Sequence, residues 1–251
     1  MNEFMQEIWT IALRDWKKKD KLWKFFLIIS ITASIIFVIG FGIQGIISKE
    51  IFKGNYSAYF SFGIFVYLIF VGALDQGSEI ILDKKNFIKL LLIAPISRYS
   101  LLLGKTLSLL TGLIKYALFL GAFLLLLNVE FSFVKLLFIL VYTVFISVFA
   151  VATGLFFSSI SRNKTVYNYL MGGLVMILLF LSGTFFPITS LPNQIRIILQ
   201  YNPFIYIIDL FRYLMVGITE YKLVTDILVF FLYGIIIVFF GVYQFDKTLR
   251  K

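Results

Sequence analysis

The few ionisable side chains inside the apolar stretches of this sequence are the first places to look for chemistry. Asp75 and Glu79 stand one helical turn apart, and Lys115 lies inside a later apolar run. Charged groups at membrane depth are costly to bury and commonly mark a substrate or ion pathway. These three residues are therefore candidate pathway residues, although Glu79 could instead pair with Lys105 near the membrane interface.

Other kinds of chemistry have little support in the residue types present. The chain has no His and no Cys, so it lacks the commonest general base, thiolate metal ligands and disulfides. It also lacks the G-x-x-x-x-G-K-[ST] phosphate-binding loop, because Gly104-Lys105-Thr106 has no upstream glycine of that motif. We therefore predict a non-catalytic chain that binds neither a metal nor a cofactor.

The composition indicates that a lipid bilayer is the natural solvent. Of 251 residues, 61% are hydrophobic and 14% are charged, and a soluble core could not bury this much apolar surface. A helix needs about 20 apolar residues to cross a hydrocarbon core of about 30 Å. Runs of that length predict an all-α integral membrane protein with six transmembrane helices, at 25–47, 57–82, 101–127, 136–160, 165–186 and 227–245.

The positive charges predict the orientation of these helices. Most of the 23 basic residues fall in the termini and in the connections on the same side of the membrane as the termini. The positive-inside rule then places both termini in the cytoplasm, in a multi-pass protein of the plasma membrane. Topology accounts for the net charge of +10, so the basic excess does not indicate a nucleic-acid partner.

Residues 1–24 are expected to form an amphipathic helix at the membrane interface, ahead of the transmembrane domain at 25–251. Helical spacing places Phe4, Ile8, Ile11 and Asp15 on one side. The basic residues from Lys17 to Lys24 would then face anionic lipid headgroups. A basic leader exposed to water is the alternative.

A cytoplasmic helix is predicted at 83–96, between the second and third spans. Phe87 and Leu90 fall on its apolar side, Lys84 and Lys85 fall on the other, and Pro95 ends it. Such a helix could transmit motion to the spans as a lever. It could also be an ordinary basic helix lying against headgroups.

The segment 187–217 is too apolar to be a solvated loop. Pro187, Pro192 and Pro203 divide it into two short helices, Leu191–Leu199 and Pro203–Val216, which we interpret as a re-entrant pair before the last span. Asp209 and Arg212 are three residues apart on the second helix, so their side chains can pair. This pair could belong to an outer gate or could simply stabilise the helix.

Two stretches of this sequence resemble the type-2 family of ABC transporter permeases. The first, Gly77–Lys105, matches the family pattern at Asp83, Lys89, Ala94, Pro95, Ile96, Ser97, Arg98, Gly104 and Lys105. Lys85 and Asn86 depart from it, since an acid and a glycine are usual near there. The second, Ser182–Gly217, matches at Ser182, Gly183, Phe186, Pro187, Leu191, Pro192, Asn202, Pro203, Tyr206, Asp209, Arg212 and Gly217.

The resemblance implies the membrane subunit of an ATP-driven exporter. Its partners would be a separate ABC nucleotide-binding subunit, which holds ATP and Mg, and a second copy of this chain or a related permease, with membrane lipid around them. The residues implied in coupling to the ATPase are Asp83, Lys84, Lys85, Phe87, Lys89, Leu90, Pro95 and Arg98. Those implied in the outer gate are Pro187, Pro192, Pro203, Tyr206, Asp209, Arg212 and Gly217.

The substrate is less defined by the sequence. The run Gly77-Ser78 to Asp83 is most similar to members linked to drugs and other amphiphilic compounds, and glycan exporters are close relatives. An ion-coupled secondary transporter that uses Asp75, Glu79 and Lys115 would need inverted repeats, and the halves show no convincing repeat. A lipid-modifying enzyme with Asp75 and Glu79 as its acid and base is a third alternative.

Overall fold

The structure, a computed structural model, describes residues 3–19, 59, 62–70, 72–73, 99–100, 102–110, 133–217 and 219–249. Within these ranges the chain is helical and contains no strand, in agreement with the predicted all-α class. The predicted span 25–47 and the predicted helix 83–96 lie outside the described residues, as do Asp75, Glu79 and Lys115. The six-span count therefore stays a prediction.

Six helices carry most of the described chain. They are α1 (Glu3–Lys19), α2 (Phe133–Ile160), α3 (Lys164–Thr184), α4 (Asn193–Leu199), α5 (Pro203–Val216) and α6 (Leu223–Leu249). Residues 62–70 and 102–110, from the predicted second and third spans, are also helical.

Three helices are long and apolar enough to cross a bilayer. Their candidate spans are Leu137–Ile160, Lys164–Thr184 and Leu223–Phe245, close to the predicted spans 136–160, 165–186 and 227–245. The last begins four residues earlier than predicted and so includes Asp226, which is fully buried. The acid can lie in this helix because it is buried inside the protein, which hydropathy along the sequence does not reveal.

Helices α2 and α6 pack along one another with their backbones close together at two glycines of α6. A Cβ atom on Gly234 would lie 2.0 Å from the ring of Phe149, and one on Gly241 would lie 2.6 Å from the carbonyl oxygen of Ala152. Phe230 of α6 fills the space beyond, with its ring centre 4.9 Å from that of Phe149. Small residues thus let the two helices approach closely, as is usual for helix pairs in membranes.

Helix α3 is irregular. Two of its stretches, Tyr169–Val175 and Phe180–Thr184, are π-helical, and the backbone leaves helical geometry from Leu181 to Gly183. Gly183 has φ of 77°, a conformation that glycine adopts without steric cost. The helix therefore ends at Thr184, two residues before the predicted boundary, and the Gly183 carbonyl is free for other partners.

Helix α5 has the bounds predicted from the sequence. The Asn202 side chain accepts a hydrogen bond from the Phe204 N–H at 3.1 Å, Pro203 occupies the first turn, and Gly217 ends the helix in the left-handed conformation. Helix α4 begins at Asn193 rather than at the predicted Leu191, because Pro192 has an extended backbone and precedes the first turn.

Helix α5 lies among the other helices instead of on the surface. Ile207, Ile208 and Phe211 have no exposed area, and α5 packs against α2, α6 and the end of α3. Phe211 also stacks on Phe65 with ring centres 5.5 Å apart, which adds the 62–70 segment to the same core. This packing fixes the polar side chains that α5 carries.

Candidate functional site

A buried arginine on α5 forms the centre of the main polar site. The guanidinium of Arg212 is only 3% exposed, and its Nη2 donates to the Gly183 carbonyl oxygen at 2.6 Å. Its Nε lies 3.4 Å from the carbonyl oxygen of Tyr59, and its Cζ lies 3.4 Å from the centre of the Tyr59 ring. Hydrogen bonds and a cation–π contact therefore hold this charge away from water.

Glu220, in the turn between α5 and α6, supplies the opposite charge. Its Oε1 lies 3.6 Å from Arg212 Nη1 and 2.6 Å from the Tyr59 hydroxyl, while its Oε2 accepts from the Thr189 N–H at 3.1 Å. The Tyr59 hydroxyl is also 2.9 Å from the Gly183 carbonyl oxygen, so either oxygen can accept its proton. We name Tyr59, Asp209, Arg212, Glu220 and the Gly183 carbonyl the Arg212 cluster.

Asp209 holds the backbone of the same turn. Its two oxygens accept from the Glu220 N–H at 3.0 and 2.8 Å, and one of them also accepts from the Tyr221 N–H at 3.0 Å. Asp209 and Arg212 do not form with each other the direct ion pair that their spacing suggested. Each instead engages Glu220, because the turn offers Asp209 two N–H donors and offers Arg212 a carboxylate.

The other predicted gate residues shape the chain around this cluster. Pro187 precedes a 3-10 turn, Ile188–Ser190, and Pro192 and Pro203 set the starts of α4 and α5. The Tyr206 hydroxyl donates to the Gln200 carbonyl at 2.7 Å, and its ring lies 5.3 Å from that of Tyr221. Gly217 caps α5. Of the predicted set, the structure brings Asp209 and Arg212 into the cluster.

Sequence reasoning missed Tyr59 and Glu220. Glu220 had a usable signal, since it shares the apolar stretch from Pro187 to Lys222 with one other acid, Asp209, and Arg212 needs a counter-charge there. Tyr59 had none. It is 124 residues from Gly183 and 161 from Glu220 in the sequence, so only the tertiary fold brings it near.

A second buried ion pair joins α1 to the 102–110 segment. Lys105 Nζ lies 3.0 Å from Asp15 Oδ2, with exposed fractions of 1% and 0%, and Arg14 contacts the other Asp15 oxygen at 2.7 Å. Burial acts to raise the pKa of Asp15, but Lys105 and Arg14 together hold that pKa below its ordinary value. The carboxylate is therefore stabilised in its ionised form.

The docked side of α1 follows the predicted stripe in part. Ile11 and Asp15 are buried, and a Cβ on Gly104 would lie 2.8 Å from Ile11, which shows how closely the segments approach. Phe4, expected on the same side, is exposed, as is Trp9. The signal for the ion pair was present in the sequence, because an acid within an apolar stripe requires a buried partner.

The remaining predicted sites lie outside the described residues. These are the coupling residues Asp83, Lys84, Lys85, Phe87, Lys89, Leu90, Pro95 and Arg98, together with the pathway candidates Asp75, Glu79 and Lys115. Within the described ranges no group of three or more metal-ligating side chains is assembled. The described polar sites consist of ion pairs and hydrogen bonds that hold segments of the chain together.

Comparison with known proteins gives one family match. A family model described as ABC-2 type transporter matches residues 5–216, which include most of α1, all of α2 to α5 and all members of the Arg212 cluster except Glu220. No curated protein matches the chain.

Proposed function

We propose, because this chain belongs to the ABC-2 type transporter family, that it moves an amphiphilic or lipophilic compound out of the cytoplasm or the inner leaflet. Permeases of this family are non-catalytic membrane components that bind no cofactor, and they work with an ABC subunit that hydrolyses ATP. The direction, the substrate class and the plasma-membrane location with cytoplasmic termini are our proposals.

The apolar character of the chain supports an amphiphilic substrate. The segment between α3 and α6 packs its helix α5 against the long helices, so the described connection forms no separate polar domain for capturing a solute. A compound that already partitions into lipid could reach such a protein from the bilayer. The glycan exporters that the sequence also resembles are the alternative for the transport assay to distinguish.

We further propose that two copies of the chain, or this chain and a related permease, enclose the pathway. One chain with the predicted six spans would supply half of a two-fold transporter. The helix at 83–96 would contact the ATP-binding subunit and transmit its closure to the spans.

The Arg212 cluster is our candidate for the gate on the side away from the termini. The observation that carries this proposal is the joining of four segments, residue 59, residues 183–189, α5 and the turn 219–222, through Arg212, Glu220 and Asp209. Opening would separate these segments and hydrate the buried charges. ATP-driven closure would restore the contacts.

The test is transport by the permease and its ATP-binding subunit reconstituted in liposomes. We expect ATP-dependent movement of a fluorescent amphiphile. The combination of Lys84→Glu, Lys85→Glu and Leu90→Pro should abolish transport-coupled ATPase activity, because it reverses the charge of the proposed lever and breaks its helix. Lys135→Glu, at an exposed position outside the proposed gate and lever, is the charge-reversal control and should retain activity.

The possible outcomes separate the hypotheses. Unchanged activity in the triple variant would rule out the lever. Transport of a lipid-linked glycan but not of the amphiphile would favour the glycan alternative. Uptake driven by a proton or sodium gradient without ATP would favour an ion-coupled transporter.

A further inference from the structure

Asp226 lies in the first turn of α6 with a carboxyl group that is buried and unsatisfied. Its exposed area is zero, and within the described part of the chain both side-chain oxygens lack a hydrogen-bond partner. The backbone of this turn is satisfied, since the Asp226 N–H donates to the Lys222 carbonyl at 3.2 Å. A buried polar group without a partner is uncommon and indicates either a ligand or a change of ionisation state.

The described groups that interact with Asp226 from the neighbouring helices carry no positive charge. Tyr142 of α2 and Tyr206 of α5 interact with it electrostatically, and Asp209 of α5 adds a second carboxylate. Both tyrosine hydroxyls already donate to backbone carbonyls, at 2.7 Å in each case. Asp226 therefore has aromatic and acidic neighbours and receives no proton from either phenol.

The turn that precedes α6 does not compensate this charge either. Glu220 is engaged by Arg212 and Tyr59, and Lys222 is exposed. Among the described residues, the oxygens of Asp226 thus remain without a donor or a counter-ion.

The position of Asp226 at the start of a helix favours an ionised carboxylate, but this effect is too small to offset the cost of burying the charge. The helix dipole stabilises a negative charge by about 0.3–1 kcal/mol, and by about 2 kcal/mol in favourable buried geometries. Removing a carboxylate from water costs several kcal/mol even after relaxation, and the nearby Asp209 adds repulsion. The neutral acid is therefore the more stable form.

We infer that Asp226 is a proton-binding site whose carboxyl group carries a proton in this conformation. A proton is the cation that fits a carboxyl with no exposed surface, and the described residues assemble no group of three metal ligands around it. Separation of α5 and the turn 219–222 from α6 would let water reach the carboxyl. The proton would then pass to water, because a hydrated aspartic acid has a pKa of about 3.9.

The first test is chemical labelling of the purified full-length permease with dicyclohexylcarbodiimide. This apolar reagent reacts with protonated carboxyls in apolar sites: the acid adds across its C=N bond, the proton moves to the reagent nitrogen, and the adduct rearranges to a stable N-acylurea. We expect mass spectrometry to locate the adduct on Asp226 at neutral pH. Glu220, which forms an ion pair with Arg212, is the internal control and should stay unmodified.

The second test compares two identical chemical changes at buried positions of the neighbouring helices α5 and α6. Asp226→Asn imitates the neutral acid, so its melting temperature at neutral pH should equal or exceed that of the wild type. Asp209→Asn should lower the melting temperature, because an amide has a single acceptor oxygen for N–H groups that now contact both oxygens of Asp209. The two variants make the same change at a carboxyl that accepts backbone hydrogen bonds and at one that accepts none from the described residues.

The pH dependence completes this test. Above about pH 4 the unfolded chain releases the Asp226 proton while the folded chain keeps it, so the folded-to-unfolded ratio of the wild type should fall with rising pH relative to Asp226→Asn, by up to tenfold per pH unit. Parallel pH curves, or an Asp226→Asn variant as unstable as Asp209→Asn, would overturn the proposal. Neither measurement requires the ATP-binding subunit, so the result is independent of the proposed transport function.

Discussion

Replacing Glu220 should destabilise the protein more than any exposed change in the same turn. In Glu220→Ala, Arg212 keeps the Gly183 carbonyl at 2.6 Å but loses its counter-ion, and the Thr189 N–H loses its acceptor. The Tyr59 hydroxyl can still donate to Gly183. The buried guanidinium, 3% exposed, is then left with partial compensation.

The contacts set the expected magnitude. Removing one partner of a buried ion pair typically costs about 3–5 kcal/mol. The lower end applies here, because the Arg212–Glu220 distance is 3.6 Å and Glu220 is 11% exposed. We expect about 3 kcal/mol for Glu220→Ala, or a fall in melting temperature of about 6–12 °C at this chain length. Glu220→Gln keeps the side-chain oxygen as an acceptor and should lose about 1–2 kcal/mol.

The assay is thermal unfolding in detergent, combined with a double-mutant cycle. Tyr59→Phe and Glu220→Ala should show a coupling energy of about 0.5–3 kcal/mol, since the hydroxyl and the carboxylate are 2.6 Å apart. Lys222→Ala, exposed and two residues away, should stay within about 0.5 kcal/mol of the wild type. A Glu220→Ala variant as stable as Lys222→Ala would refute the argument that the Arg212 cluster fastens these segments.

Two further perturbations test other contacts. Asp15→Ala should cost about 3–5 kcal/mol because it removes the carboxylate that lies 3.0 Å from the buried Lys105, and Asp15→Leu combined with Lys105→Met should recover most of that loss, as measured by thermal unfolding. Because the pKa of Asp15 is held low, the stabilisation from this pair is present above about pH 4 and is lost only as the pH falls further, so equal sensitivity of wild type and double variant to strong acid would contradict it. Gly183→Ala should destabilise more than Gly217→Ala: both glycines have φ of 77°, with a backbone cost of about 1–2 kcal/mol, but only at Gly183 would the new Cβ lie 3.1 Å from Ile188. Equal melting temperatures for these two variants would show that the contact has no energetic weight.

The sequence predicted the structure best at residues that begin or end helices and in long uncharged runs. Asn202-Pro203 and Gly217 determine the bounds of α5, because an amide cap, a proline and a left-handed glycine each act within one turn. The three long helices follow from hydropathy in the same way. Such local signals need no knowledge of which segments later touch.

The polar partners were the part that could not be obtained from spacing. Asp209 and Arg212 lie close enough on one helix to suggest a pair, yet both engage Glu220 in the following turn. Choosing among three charges requires knowing where the Gly183 carbonyl and the turn N–H groups point. Those directions depend on the break in α3, whose π-helical turns leave no mark in residue type beyond Gly183 itself.

The Lys105 contact illustrates the same limit at the other site. Glu79, which the sequence suggested as a partner of Lys105, lies outside the described residues, and the described structure places Asp15 at 3.0 Å from Lys105, 90 residues away in the chain. Apolar periodicity placed Asp15 on the correct side of α1 but could not say which segment that side would meet.

The close contact of α2 and α6 has a mechanical consequence. Gly234 faces the Phe149 ring and Gly241 faces the Ala152 carbonyl, so both contacts depend on the absence of a side chain on α6. An axial slip by one turn, about 5.4 Å, would drive larger side chains into both positions. Steric clashes therefore oppose sliding of α6 along α2, and the two helices would rotate or tilt together as one rigid body. Any change in their position relative to neighbouring segments would then occur at Gly183 and in the turn 219–222.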